Sequence, residues 1–178
     1  MTLPVPAYDL GPMPSGLRMT TVDELEVHAP LDRIFRLAAG VKEWPRLLPH
    51  YYDVAFRERT VDGGGLVEMI AFRPFGFLRW PVWWVSQMEI FPERDLRGRG
   101  PVIRFRHVAG VTTGMEVEWR FRPTETGTHV RIVHVWSGPT WRFIGGLAAR
   151  LVIGPIFIHG IASRTVAGLA REAERTWA

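Results

Sequence analysis

Six histidines, His28, His50, His107, His129, His134 and His159, are the first candidates for chemistry in this chain. Imidazole is the side chain whose ordinary pKa lets it give or take a proton near neutrality, and it also ligates metals. The spacing argues against a metal centre. No two histidines stand four apart on a helical stretch, and there is no cysteine to complete a zinc set. His107, His129 and His134 could meet across neighbouring strands, yet His129 and His134 project from opposite faces of one strand. The absence of cysteine also removes thiol catalysis and disulfides. "DGGG", residues 62–65, sits between two strand-like runs rather than at a strand-to-helix turn, so it does not read as a phosphate cradle. Neither metal nor cofactor is expected.

The elements that must position these groups can be read from alternation, since successive strand residues face opposite sides. In "RWPVWWVSQMEIFPE", residues 79–93, Gln87 and Glu89 mark the wet side. Trp80, Val82, Trp84, Ser86, Met88 and Ile90 therefore point inward and Trp83 outward. In "GMEVEWRFR" the charges Glu116, Glu118, Arg120 and Arg122 belong to water, leaving Met115, Val117, Trp119 and Phe121 inside. Arg131 sends Val130, Ile132, His134 and Trp136 inward, and Glu68 does the same for Val67, Met69 and Ala71. "VIRFRHV" reads either way: Arg104 and Arg106 point in, or Phe105 and His107 do. This inner list is rich in Trp and Met and includes Ser86 and His134. Indoles and thioethers with a few polar groups suit the wall of a ligand cavity, whereas a tight core favours Leu, Ile and Val. The alternative is a large solid core between sheet and helix, and composition alone balances the two.

The 178 residues suit one domain, expected over 20–178 behind a flexible Pro- and Gly-rich arm at 1–19. That arm lacks the pattern of a signal peptide, and a cytoplasmic protein is expected. The net charge of +4 rests almost wholly on arginine, with Lys42 the one lysine. The arginines are scattered rather than clustered, so nucleic acid is not an expected partner. After a first, edge-like strand in 20–29, Pro30 opens a helix with Leu31, Ile34, Phe35 and Ala38 on one face. "KEWPRLLPHYY" gives a second short helix ended by Pro49. A train of strands joined by short turns follows, which makes an antiparallel meander. The last stretch is helical, restarting at Gly154-Pro155, with Ile158, Ile161, Thr165, Leu169 and Ala173 on one face and Arg164, Arg171 and Arg175 on another. An extra apolar helical segment is expected at 139–154. The run Phe143–Ala162 approaches the ~20 apolar residues that span a bilayer, but Arg150 and the Gly-Pro break oppose spanning. Transient membrane contact through 141–158 is the remaining membrane role, against packing on the protein's own surface or a dimer contact.

This order of elements, with "EVHAPLDRIFRLAAGVKEWPRLLPHY" near the start and "SRTVAGLAREAER" at the end, resembles the START-like helix-grip superfamily. The nearest branch is the polyketide cyclase/dehydratase, or aromatase/cyclase, group. The resemblance covers roughly 20–177, leaving out the N-terminal arm and part of the segment 140–153. It implies an α+β helix-grip fold, a curved antiparallel sheet wrapped around a long C-terminal helix with two short helices after the first strand. It also implies a deep cavity for a hydrophobic, aromatic or polyketide-like small molecule, and tips the balance toward a hollow core. By position, Trp44 and Tyr51 match pocket residues at the first helices, Trp84 and Ser86 the central "W-x-S", and Met115 and Trp119 the wall. His134 falls where such enzymes carry an amide, and Arg106 where some carry a polar arginine. Met69, Met88, Ile132 and Trp136 join the expected ligand-binding set through their inward faces.

Two departures bear on catalysis. The family pattern continues as Trp-x-Ser-x-Arg, whereas this chain has Met88, which can neither polarise a ketone nor supply a proton. His50 replaces an acidic group before the pocket tyrosine. Ring closure and dehydration need a stabilised enolate and a proton donor. The candidates left are His134 as general acid/base, Ser86 and Tyr51 to orient a carbonyl, and Arg106 as electrophile. Each has a plainer reading: a core histidine, a serine bonded to an indole, a junction-capping tyrosine and a solvent-facing arginine. The alternative function is a non-catalytic carrier of a lipid or quinone, which a greasier Met88 wall favours. A monomer or homodimer is expected.

Overall fold

Strand periodicity with short turns leaves each strand its sequence neighbour as partner, and the chain takes that route. The computed structural model describes residues 5–16, 19–75, 78–92, 101–138 and 159–175, and shows one seven-stranded antiparallel sheet. Strand β1 (Met19–Val27) leads into helix α1 (Leu31–Ala39), a 3-10 turn (Val41–Glu43) and the short helix α2 (Trp44–Leu47). The meander follows as β2 (Tyr51–Arg59), β3 (Gly65–Phe75), β4 (Leu78–Phe91), β5 (Val102–Gly110), β6 (Glu116–Thr124) and β7 (Gly127–Trp136). Helix α3 (His159–Arg175) is the last described element. The sheet order β1-β7-β6-β5-β4-β3-β2 brings the first strand back onto the last, with Thr21 opposite His134 and Leu25 opposite Val130. This is the expected helix-grip α+β fold.

The helices before β2 are fixed by local chemistry. Ile34, Phe35 and Ala38 form the buried stripe of α1, and Phe35 meets Phe121 of β6 edge-on at 5.1 Å. The Gly40 amide caps α1 on the Arg36 carbonyl. Leu48 is extended, as a residue before proline must be, so α2 ends there and the chain turns into β2. The Trp44 indole donates to the Leu37 carbonyl at 3.1 Å, tying α2 to α1. Helix α3 packs on β1, α1 and α2, burying Ala162, Thr165, Val166, Leu169, Ala170 and Ala173. A Cβ on Gly168 would stand 2.3 Å from Leu48 Cδ2, so this glycine sets how closely α3 approaches the corner before β2.

The outer face of the sheet corrects one expectation. Glu116 and Glu118, assigned to water by alternation, point outward but are buried. Arg104 lies between them, bonding Glu116 at 2.6 Å with Glu118 at 3.7 Å, while Arg106 bonds Glu116 at 2.9 Å. What covers this cluster is the N-terminal stretch. Arg104 donates to the Gly11 carbonyl and Arg106 to that of Leu10, while the Leu10 amide donates to Glu89. Val5 forms a bridge with Thr60, and the Leu10 side chain is itself buried. The stretch expected as a loose arm is thus laid along the sheet from 5 to 11, because its carbonyls meet guanidinium donors. The expected apolar helix at 139–154, the membrane-touching run 141–158 and the inward side chain of Trp80 lie outside the described residues. No helix among the described residues is long and apolar enough to cross a membrane.

Candidate functional site

The inner faces meet around a cavity of about 70 Å³ between the sheet and the start of α3. Its side walls are Val82 and Trp84 of β4, Phe105 and His107 of β5, and Val117 and Trp119 of β6. His134 reaches it from β7 and Met69 from β3, while Trp44 and Tyr51 close it at the α2–β2 corner. Ile161, Ala162 and Thr165 of α3 form the helix side. Aromatic edges knit the wall: Tyr51 meets Trp44 at 5.1 Å and Trp84 at 6.3 Å, and Trp44 lies 5.9 Å from Trp119. The two tyrosine contacts are edge-to-face and the tryptophan pair is tilted, and such ring contacts fix planes better than aliphatic packing does.

A turn supplies the polar part. Between β5 and β6 the chain doubles back through 111–114, and Gly110, at φ +94°, makes this possible because a side chain there would meet the Trp83 carbonyl at 2.3 Å. The turn brings Thr112 Oγ1 to 2.6 Å from His107 Nδ1 and places Val111, Thr112 and Met115 on the cavity. The Trp136 indole donates to the Thr113 carbonyl at 3.0 Å and anchors the turn from below. A register shift between Val85 and Ser86 sets His107 opposite Ser86, and the His107 ring stacks on Trp84 at 5.9 Å with planes 15° apart.

Seven residues of the expected ligand-binding set meet at the cavity: Trp44, Tyr51, Met69, Trp84, Met115, Trp119 and His134. Ser86, Met88, Ile132 and Trp136 face inward as expected but do not reach it. They are sealed in solid packing, Ser86, Met88 and Ile132 at 0 % exposure. The core is therefore hollow at the β4–β5–β6 centre and solid around it. The two-way strand resolves with Ile103, Phe105 and His107 inward, so Arg106 cannot serve as an electrophile in the cavity; it is held outside by Glu116 and the Leu10 carbonyl. Alternation left His107 undecided and gave no sign of Thr112, whose role comes from a turn; helical spacing had put Thr165 on the apolar face of the last helix, and that face brings it to the cavity. Trp83 is outside as expected, its indole donating to Glu68.

Burial, reinforced by the charge of His134, holds the His107 pKa down at about 3. Burial and then the charge of Arg164 lower His50 to about 4. At neutral pH both rings are uncharged hydrogen-bonding groups. The sign of the pH effect follows. An unfolded histidine titrates near ~6.5, so between that value and the folded pKa the unfolded chain binds more protons. Stability is complete above pH ~6.5 and falls as the pH drops toward 4, mainly through His107, with a smaller share from the partly solvated His50. Urea midpoints measured from pH 7.5 to 4.5 should fall, and His107→Gln should flatten that slope. An identical slope in the variant would contradict the buried, neutral ring. Among the described residues no three His, Asp or Glu side chains gather as a metal set.

Comparison with known proteins bears on this arrangement. The family described as "Polyketide cyclase / dehydrase and lipid transport" matches residues 27–154. A solved structure of a Thermus thermophilus protein is similar at TM-score 0.73 and 21% identity, covering 89% of this chain and 99% of that one. The Zhui aromatase/cyclase from a Streptomyces species is similar at TM-score 0.67 and 18% identity, covering 88% and 93%. A START superfamily protein from Mycobacterium smegmatis gives TM-score 0.66 at 12% identity, covering 88% and 98%. At these identities the likeness is one of fold. Against curated protein sequences the chain finds no significant match.

Proposed function

The chain belongs to the polyketide cyclase/dehydrase and lipid transport family, and from that premise we propose that its cavity holds a hydrophobic, aromatic or polyketide-like small molecule. The observation that carries this reading is the wall itself. Trp84, Trp119, Trp44 and Tyr51 line a space that takes polar groups from His107, Thr112 and His134 on the sheet and its turn and from Thr165 on α3. Flat aromatic faces favour a planar ligand, and a few convergent polar groups fix its orientation through carbonyl or hydroxyl oxygens. A filled ligand pocket measures ~300–1,000 Å³, so a molecule of several rings requires this wall to give. The unbranched side chains of Met69 and Met115 are suited to that.

Cyclisation or dehydration is the second reading, favoured by two imidazoles on one cavity. In it His134 moves the proton while Tyr51 and the His107–Thr112 pair position the reacting carbonyl. Binding ranks first because His107, at about 3, is too weak a base to be a proton carrier at neutral pH. In addition, Met88 is sealed away and Arg106 is engaged outside. A carrier of a lipid or quinone is the non-catalytic form of the same binding role.

Tryptophan fluorescence titrated with a planar polyphenol and, separately, with a single-chain lipid tests the proposal. Saturable quenching by the polyphenol supports an aromatic-shaped cavity and justifies turnover assays on His134→Ala. A response to the lipid alone moves the reading to the carrier. Saturation with neither contradicts it.

A further inference from the structure

A second concavity lies beside α3. It is a surface groove of about 550 Å³ between the α2–β2 corner and the helix. Leu48, Pro49, His50 and Phe72 line one bank; Ser163, Arg164, Ala167 and Arg171 line the other. Among the described residues its charges are of one sign, since no carboxylate stands among those side chains. Arg164 and Arg171, two helical turns apart, are exposed, and neither forms an ion pair among the described residues. Arg171 folds back along the helix, with Nη2 3.8 Å from where a Cβ on Gly168 would stand, so its charge borders the groove.

One hydrogen bond joins a residue of the cavity wall to a residue of the groove. Thr165, which lines the cavity, donates its hydroxyl proton to the Ile161 carbonyl at 2.7 Å. It must therefore accept from His50 Nε2–H at 3.0 Å, and His50 lines the groove. Burial and the nearby Arg164 keep this imidazole neutral, so the bond is an ordinary neutral one that can open and reform. The bank beside it is apolar, and the cavity beyond it is aromatic.

We propose that the groove is the anionic end of the ligand site. Arg164 and Arg171 take the carboxylate of an amphiphile whose apolar body lies along Leu48 and Phe72 and enters the inner cavity when the His50–Thr165 bond opens. This rests on the cavity binding an apolar ligand, and it names the ligand class: an aromatic or aliphatic acid rather than a neutral hydrocarbon. Guanidinium groups suit a carboxylate through paired N–H donors, and opposite charge at an otherwise apolar mouth also steers entry.

The test compares a matched pair of probes on the full chain by calorimetry at low salt: naphthylbutanoic acid and naphthylbutanol, which share a ring system and linker. The alcohol should bind, and the acid should bind about tenfold tighter. Both 0.5 M salt and the double substitution Arg164→Gln/Arg171→Gln should remove that advantage while leaving the alcohol's affinity as it was. Circular dichroism of the double variant checks that it folds. Equal affinities for acid and alcohol, or a preference for the acid that survives the double substitution, would overturn the groove as the anion site and leave the cavity intact. Binding of neither probe would overturn both. Thr165→Val, which removes the shared bond, should speed association of both probes several-fold in stopped-flow; an unchanged rate would overturn the gate.

Discussion

Arg104→Met is expected to cost about 3–5 kcal/mol, the largest single effect on the outer face of the sheet. The guanidinium is 4% exposed and lies against two carboxylates, Glu116 and Glu118, that are themselves 12% and 9% exposed. Methionine fills much of the same volume, so packing is nearly kept and the loss is electrostatic. Two buried carboxylates would keep only the charges of Arg106 and Arg120, both more exposed. For a chain of this size the loss corresponds to a fall of roughly 10 °C in Tm. The Gly11 carbonyl loses its donor as well, so backbone amides of the N-terminal stretch should exchange faster, Leu10 first. A Tm within about 2 °C of the parent would mean that the cluster is solvated and the N-terminal stretch does not seal it.

The second large effect is on binding. Ala162 is a buried helix residue on the cavity, placed where a longer side chain would project into the space rather than into another element. Ala162→Leu adds three carbons to a cavity of about 70 Å³ and should weaken the polyphenol at least tenfold in the fluorescence titration. Stability should change little, because filling a void regains dispersion contacts that offset overpacking, which otherwise costs about 1–3 kcal/mol. Undiminished affinity in a folded Ala162→Leu protein would place the ligand elsewhere.

How much of this was legible in the residues differs between fold and site. Alternation named the inward side of β3, β4, β6 and β7, because one charged position per strand suffices to orient it. It failed on β5, where Arg104 and Arg106 alternate with Phe105 and His107. Arginines point outward there because Glu116 on β6 and the carbonyls of Leu10 and Gly11 wait on that side, and the position of those carbonyls is a tertiary fact. For the same reason Glu116 and Glu118 looked wet and are not.

Alternation also gives direction without depth. Met88 and Trp136 face the same interior as Trp84 and Trp119, yet the first two fill it and the last two line a space. That distinction depends on which strand the start of α3 stands over. His107 and Thr112 were hidden for a further reason. Their pairing needs Gly110 at positive φ and a turn that folds Thr112 back over the strand, and a "VTT" stretch carries no periodic signal.

A ligand in this cavity sits among Trp84, Trp119 and Trp44, inside the sheet. The most direct measurement follows the indole N–H resonances of 15N-labelled protein as the polyphenol is added, with each signal assigned by Trp→Phe substitution. The Trp84 and Trp119 signals should shift saturably with one binding constant. Trp136, locked in solid packing on the Thr113 carbonyl, and Trp83, paired with Glu68 on the outer face, should hold still. A titration that moves Trp83 while Trp84 and Trp119 stay fixed would contradict it, and would put the ligand on the outside of the sheet.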